Sequence, residues 1–194
     1  MVFDLFTEDQ MTFTKVAAIA LVSAAMNGVA FAGPEEETVL ATFESLCLEL
    51  INDSGAIATT APRMGLVAVP DDKKVEFLGS QPGRAWISLK KTDRYILTIT
   101  DEGSCGLSAP YVSGAATLDL LFHNSRIAQL DTERVGSETQ SVYAITRPDR
   151  FGKADIHALV LVTTSNLQSV DGIQLTAIPE TLARKQGTII RAWP

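Results

Sequence analysis

The most regular pattern of apolar positions lies near the start of the chain. Seven residues recur there with the spacing of one face of an α-helix, namely Val39, Leu40, Phe43, Leu46, Cys47, Leu50 and Ile51. Pro34 and the acidic residues 35–37 are typical of a first helical turn, because proline needs no donor there and carboxylates offset the positive end of the helix dipole. Residues 52–55 carry helix-ending side chains. The pattern predicts an amphipathic helix between Gly33 and residue 52.

From Ala85 onward the apolar residues alternate with polar ones, which is the spacing of a β-strand. Residues 86–90 and 94–100 flank a Thr-Asp turn and predict a hairpin. We expect one face of this hairpin to carry Ile87, Leu89, Tyr95, Leu97 and Ile99. A further strand at 104–109 places Cys105, Leu107 and Ala109 on a common face.

The second half of the chain adds one helix and four strands. Ser113 is placed to cap a helix that ends at His123. The predicted strands are residues 126–134, 139–147, 156–164 and 173–178. Residues 158–162 are apolar on both faces, so this strand belongs inside the sheet. Because the strands follow one another through short turns, we predict an α+β fold with the N-terminal helix packed on a mostly antiparallel sheet.

The first 32 residues predict an export signal. Lys15 precedes an apolar run at 16–26, and small residues, Ala30 and Ala32, precede Gly33 in an A-x-A arrangement. A membrane-spanning helix needs about 20 apolar residues, whereas this run is shorter. We therefore expect cleavage after Ala32, a single domain at 33–180, a tail at 181–194 and no stable membrane anchor after cleavage.

The residues before Met11 differ from the usual start of an export signal. Asp4, Glu8 and Asp9 make this segment acidic, whereas the region before the apolar run is normally basic. A chain that begins at Met11 has the usual arrangement. We therefore hypothesise that translation starts at Met11.

Charge and composition exclude several classes of function. The chain has 16 Lys and Arg against 23 Asp and Glu, giving a net charge of −7. Nucleic acids and anionic membrane surfaces are bound through clustered positive charge, so neither is the expected partner. Two Cys and two His are too few for a zinc ribbon or an iron–sulfur cluster, and we expect no metal and no cofactor.

The two cysteines predict a disulfide. Exported proteins meet an oxidising compartment, in which two cysteines usually pair. Cys47 lies on the apolar face of the first helix and Cys105 on one face of a predicted strand. A redox-active pair would favour the spacing C-x-x-C, which the chain lacks. We expect the bond to hold the helix on the sheet.

Two short stretches carry a resemblance to a known group of proteins. The opening helix contains Phe43-Glu-Ser-Leu-Cys47-Leu, and Gly103-Ser-Cys105 leads into Ala109-Pro110. In these stretches the chain resembles a group of small secreted proteobacterial proteins without an assigned activity. The resemblance implies an envelope location and a helix-to-sheet disulfide.

Candidate catalytic residues are few. Asp155 and His157 lie two residues apart on a predicted strand, where we expect them to share a face with Leu159 and Leu161. Together with a serine they would form the base and the orienting acid of a hydrolase triad, although the chain has no G-x-S-x-G motif. His123 ends a helix and is better explained as a partner of the helix dipole.

Two further features are open to a binding interpretation. Four aromatic residues could line a groove, namely Trp86, Tyr95, Tyr111 and Tyr143. Aromatic residues at strand spacing more often pack in the core or form cross-strand pairs. The C-terminal segment is most simply a frayed tail. Its alternative role is a docking segment with Ile189, Ile190 and Trp193 as anchors.

Two hypotheses follow from these patterns. The first is an exported periplasmic protein without enzymatic activity, which acts as a binding or envelope-interaction module for an unknown protein or small molecule. The second is a secreted hydrolase-like enzyme that uses His157 with Asp155 and a serine. The surroundings of His157 distinguish them, because a base must lie within hydrogen-bond reach of its nucleophile.

Overall fold

One antiparallel sheet forms the frame of the molecule. The computed structural model describes residues 32–90, 94–124, 126–136, 138–148, 154–165 and 172–185. The strands in these residues are β1 (Val67–Ala68), β2 (Gly83–Ile87), β3 (Ile96–Thr100), β4 (Cys105–Ala109), β5 (Ile127–Val135), β6 (Glu138–Pro148), β7 (Ala154–Ser165) and β8 (Ile173–Pro179). Their order in the sheet is β1-β2-β3-β4-β8-β7-β6-β5. Strands β1–β4 form one meander and strands β5–β8 form a second, and the two are joined where β4 pairs with β8.

The helices precede, connect and follow the two meanders. They are α1 (Pro34–Thr42), a π-helical continuation at Phe43–Leu48, α2 (Ser54–Arg63), α3 (Val75–Leu78), α4 (Gly114–Asn124) and α5 (Glu180–Lys185). None of the helices in the described residues is long and apolar enough to cross a lipid bilayer.

The main core lies between the sheet and the first helices. Phe43 and Leu46 from the opening helix, Ile57 from α2 and Leu121 from α4 are fully buried there, against strand residues such as Leu107. A smaller cluster contains Ala144, Ile156, Leu159 and Ala183 of α5. Since Leu159 alternates with the core residues Ala158 and Val160, α5 packs on the opposite face of the sheet.

These features confirm the predicted fold class and most of its elements. The structure contains helices and an antiparallel eight-stranded sheet in one α+β arrangement. The predicted strands of the second meander correspond to β5–β8, and β7 has a hydrogen-bonded neighbour on each side. Cys105, Leu107 and Ala109 share the core face as predicted, and all three are buried.

The opening helix has a wider turn that the apolar spacing does not predict. From Phe43 to Leu48 it is π-helical, and the N–H of Glu49 donates to the carbonyl of Glu44 at 2.9 Å. A π-turn inserts one residue into the helical repeat and changes the direction of the side chains after it. This segment carries Cys47 and ends at Leu48, and both residues bind the sheet.

The first hairpin corrects the predicted assignment of side chains to faces. Trp86 pairs with Leu97, whereas Ile87 pairs with Ile96. Tyr95, Leu97 and Ile99 are therefore on the core face together with Trp86, while Ile87 and Leu89 point to the other side. Leu89 is accordingly 71% exposed. The prediction was wrong because a shift of one residue in strand register exchanges the two faces.

A second correction concerns His157 on β7. Ile145 of β6 pairs with Ala158, and the next residue, Thr146, pairs with Ile156, so His157 has no partner on β6. This β-bulge changes the alternation of side chains. Leu159 packs in the cluster under α5, whereas the His157 ring reaches the opening helix on the core side. The expected common face of His157 and Leu159 is therefore wrong.

The chain after β8 differs from the expected tail. Residues 181–185 continue the helix that begins at Glu180, and Leu182 and Ala183 are buried. The predicted anchors Ile189, Ile190 and Trp193 lie outside the described residues, as do residues 1–31 of the predicted export signal.

Candidate functional site

An apolar groove lies at the end of the first hairpin. Its walls are residues 87–89 at the end of β2, residues 94–96 at the start of β3, and Pro110 with Tyr111 after β4. The groove encloses about 470 Å³. Ligand pockets in proteins measure about 300–1,000 Å³ and are mostly apolar with a few polar groups. This groove has the size and lining of a site for a small molecule.

The floor of the groove is held to the opening helix. The N–H of Ser88 donates to the carbonyl of Tyr95 at 2.9 Å, which continues the hairpin by one further pair. The Thr42 hydroxyl donates to the carbonyl of Thr38 at 2.8 Å. Because the proton of that hydroxyl is used there, the Tyr95 hydroxyl donates to Thr42 Oγ1, at 3.2 Å. The buried Tyr95 ring is therefore fixed, and it holds this part of β3 against the opening helix.

The rim of the groove is exposed and carries a cation. Leu89 and Tyr111 are 71% and 63% exposed, and exposed apolar and aromatic side chains that line one concavity are typical of a binding surface. The guanidinium carbon of Arg94 lies 5.9 Å from the centroid of the Tyr111 ring, within the range of a cation–π contact. A ligand in the groove would meet apolar walls and one guanidinium.

The predicted aromatic residues divide between the groove and the core. Tyr111 lines the groove, and Tyr95 contributes to its lining while it is also part of the main core. Trp86 and Tyr143 are buried, and the Tyr143 ring meets Phe122 edge-on with centroids 5.3 Å apart. The sequence offered one signal for the groove, since Leu89 and Tyr111 stand beside turns where polar residues are usual. It did not show that these two turns meet.

The ring of His157 is occupied by the main chain. Its Nε2–H donates to the carbonyl of Leu48 at 2.7 Å, because a carbonyl oxygen can only accept. Leu48 ends the π-helical segment, and carbonyls at the end of a helix lack a partner within the helix. His157 thus attaches the end of the opening helix to β7. Among the described residues, no serine oxygen lies within hydrogen-bond reach of this ring.

The other two candidate residues also make local contacts. Asp155 Oδ1 accepts from the N–H of Ile156 at 2.9 Å. His123 Nδ1–H donates to the carbonyl of Asp119 at 2.6 Å in the last turn of α4, the position expected from the sequence. Asp155 and His157 lie on β7, and neither forms a hydrogen bond with a nucleophile among the described residues.

The predicted disulfide is confirmed. Cys47 and Cys105 are bonded, their Cα atoms are 5.2 Å apart, and both residues are fully buried. The bond joins the π-helical segment to the first residue of β4. It therefore holds the opening helix on the sheet, as predicted.

Glu36 connects the beginnings of two helices. Its Oε2 accepts from the N–H of Gly33 at 2.8 Å, and its Oε1 accepts from the N–H of Ser113 at 3.0 Å. Burial by itself would raise the pKa of this carboxyl, but main-chain donors, that of Ser113 first, outweigh burial and hold the pKa below its usual value. The carboxylate form of Glu36 therefore fixes the start of α1 against the residue that precedes α4.

Neither metal chemistry nor relatives identify the site. The described residues contain no group of three or more His, Cys, Asp or Glu side chains that is arranged to hold a metal ion. Comparison with protein-family models, curated proteins and solved structures finds no match to this chain. Function has to be inferred from the groove, the disulfide and the predicted export signal.

Proposed function

We propose that this chain is an exported periplasmic protein that binds a small molecule without chemical conversion, and that the groove at the end of the first hairpin is its binding site. The groove is the observation that carries this proposal. The two arms of the first hairpin and the chain after β4 build it, and Leu89 and Tyr111 remain exposed at its rim. Exposed apolar side chains around a concavity are typical of a binding surface.

The proposed location rests on the disulfide and on the N-terminal sequence. A buried disulfide is typical of proteins that fold in an oxidising compartment. The expected cleavage site after Ala32 also precedes the first helix by one residue, since α1 begins at Pro34. Cleavage there would leave the helix intact.

The geometry of His157 supports the choice of binding over hydrolysis. In a hydrolase triad one ring nitrogen accepts the proton of the serine while the other donates to the acid. Here Nε2–H donates to the Leu48 carbonyl, so that nitrogen is not presented to a nucleophile. The contact has a structural explanation at the end of a helix.

An uncharged aromatic probe tests the groove. The full chain is purified from its expressing cells, and 2-naphthamide is titrated while main-chain amide signals are followed by NMR. We expect saturable binding at one site, with the largest changes at Leu89, Tyr95 and Tyr111. Leu89→Asp should weaken binding strongly, because it places a charge among apolar side chains.

Val75→Asp is the matched control for this substitution. Val75 is 63% exposed and does not line the groove, so the same change in charge should leave binding intact. The proposal fails if 2-naphthamide does not saturate, if its signals lie elsewhere on the protein, or if both variants bind alike.

A further inference from the structure

We infer that the ligand of the groove is an amphipathic carboxylate, whose charged group pairs with Arg94 while its apolar body lies against the hairpin and Tyr111. This inference rests on the proposed function and adds the chemical class of the ligand. It depends on the guanidinium of Arg94, which is the charged group among the described residues that line the groove.

The charge of the groove differs from that of the whole chain. The chain carries a net charge of −7, which would by itself disfavour an anion. None of the described residues that line the groove is a carboxylate, and Arg94 supplies a positive charge. An anion is therefore attracted locally although it is repelled by the protein as a whole.

The chemistry of Arg94 fits a carboxylate. Its guanidinium carbon lies 5.9 Å from the centroid of the Tyr111 ring. A guanidinium is planar and presents a fork of N–H donors that matches the two oxygens of a carboxylate. The contact with Tyr111 also limits the freedom of a long side chain, which lowers the entropic cost of binding.

The remaining walls select the body of the ligand. Apolar surface comes from Ile87, Leu89, Ile96 and Pro110, and the groove volume of about 470 Å³ is in the range of small-molecule sites. The Tyr95 hydroxyl is used by Thr42. Apolar contact along the hairpin and one charged end at Arg94 together define an amphipathic acid.

A pair of isosteric probes isolates the charge. 2-Naphthoate and 2-naphthamide have the same ring system and differ in the carboxylate. Calorimetric titration of the full chain at low ionic strength should show 2-naphthoate binding about 10-fold more tightly, the size expected of a charge-assisted pair at an exposed site. Added salt should reduce this preference, because exposed charges are screened.

Arg94→Gln and Arg63→Gln complete the experiment. Arg63 is an exposed arginine of α2 outside the groove, so both variants change the net charge equally. Arg94→Gln should remove the preference for 2-naphthoate while leaving 2-naphthamide binding near its original level, and Arg63→Gln should keep the preference. Equal binding of the two probes to the original protein, or a preference that survives Arg94→Gln, overturns the inference while the groove remains a binding site. If neither probe binds, the proposed function itself fails.

Discussion

Single residues hold the opening helix to the sheet at three points. Cys47 is bonded to Cys105, the Leu48 carbonyl accepts from His157, and Thr42 accepts from Tyr95. All three lie in the last part of α1 or in the π-helical segment, where the wider turn changes which groups face the strands. The helix is therefore fixed by specific contacts in addition to its apolar face.

Loss of the disulfide should lower stability considerably. The bond closes a separation of 58 residues, for which chain entropy gives about 4 kcal/mol. For a domain of this size Cys47→Ser should lower the midpoint of thermal unfolding by roughly 8–16 °C. Cys105→Ser and the double variant should give nearly the same midpoint, because one bond is lost in all three.

Calorimetry with and without reductant checks this prediction. Reductant should bring the original protein to the midpoint of the variants and leave the variants unchanged. Two free thiols in the denatured, unreduced protein, or single variants with clearly different midpoints, would contradict it.

His157→Phe should reduce stability and leave ligand binding unchanged. The substitution removes the donor to the buried Leu48 carbonyl, and an unsatisfied acceptor costs about 1–2 kcal/mol. His123→Phe is the control, because this exposed histidine should change stability by no more than about 0.5 kcal/mol. Urea unfolding gives both values. Unchanged stability in His157→Phe, or loss of 2-naphthamide binding, would show that His157 has another role.

At the scale of elements, the start of α1 is connected to α4 through Glu36. The side chain accepts from the main chain at the beginning of its own helix and at the residue before the other. If cleavage occurs after Ala32, the donor nitrogen of Gly33 becomes the charged amino terminus of the protein. Its distance of 2.8 Å from Glu36 Oε2 then describes an ion pair, so export processing would strengthen this contact.

Glu36→Gln should therefore destabilise the protein in a pH-dependent manner. The pKa of Glu36 is held below its usual value, so the carboxylate stabilises the folded state above the unfolded pKa of about 4.3. This contribution disappears as the pH falls through the lower pKa of the folded state. We expect a difference of about 1 kcal/mol at pH 7, which narrows as the pH falls below about 4.

Urea unfolding across this pH range measures the difference. Glu37→Gln is the control, because it removes the same charge from the same helical turn. The two hydrogen bonds from main-chain N–H groups are made by Glu36. Glu37→Gln should therefore cost less than Glu36→Gln at neutral pH. A Glu36→Gln penalty that stays constant down to pH 3 would be inconsistent with a lowered pKa.

At the scale of the whole molecule, the sheet places the groove and the disulfide far apart along the strands. The groove lies where β2 ends and β3 begins and beyond the end of β4, whereas the disulfide is at the first residue of β4. One end of β4 thus carries the covalent attachment of the helix, and the other carries the proposed binding site. Ligand contacts can vary there without disturbing the buried bond.

Export should produce a protein that begins at Gly33. The small residues at the end of the apolar run predict cleavage after Ala32, and the first helix begins at Pro34. Mass spectrometry of the periplasmic fraction should find an N-terminal peptide starting at Gly33, and the unprocessed precursor should lack residues 1–10. Peptides from those residues would exclude Met11 as the start, and an uncut periplasmic chain would exclude the cleavage.

Elements with a strong local period could be predicted from the sequence. The apolar spacing from Val39 to Ile51 located the opening helix, alternation located β5–β8, and the pairing of the two cysteines was predicted from the expected export and from their apolar faces. Such patterns are visible because a helix or a strand imposes its repeat on neighbouring residues. These patterns indicate which side chains are buried, but they do not indicate which other residues cover those side chains.

Which segments meet, and in which register, depends on the packing of the whole fold. The bulge at His157, the faces of Ile87 and Leu89, and the packing of α5 on β7 and β8 all depend on how neighbouring elements pair or pack. Register is set by the pairing of whole strands, and one inserted residue reverses the alternation that sequence reasoning assumes. The groove has the same origin, because Leu89, Arg94 and Tyr111 become one site when the end of the hairpin lies beside the chain that leaves β4.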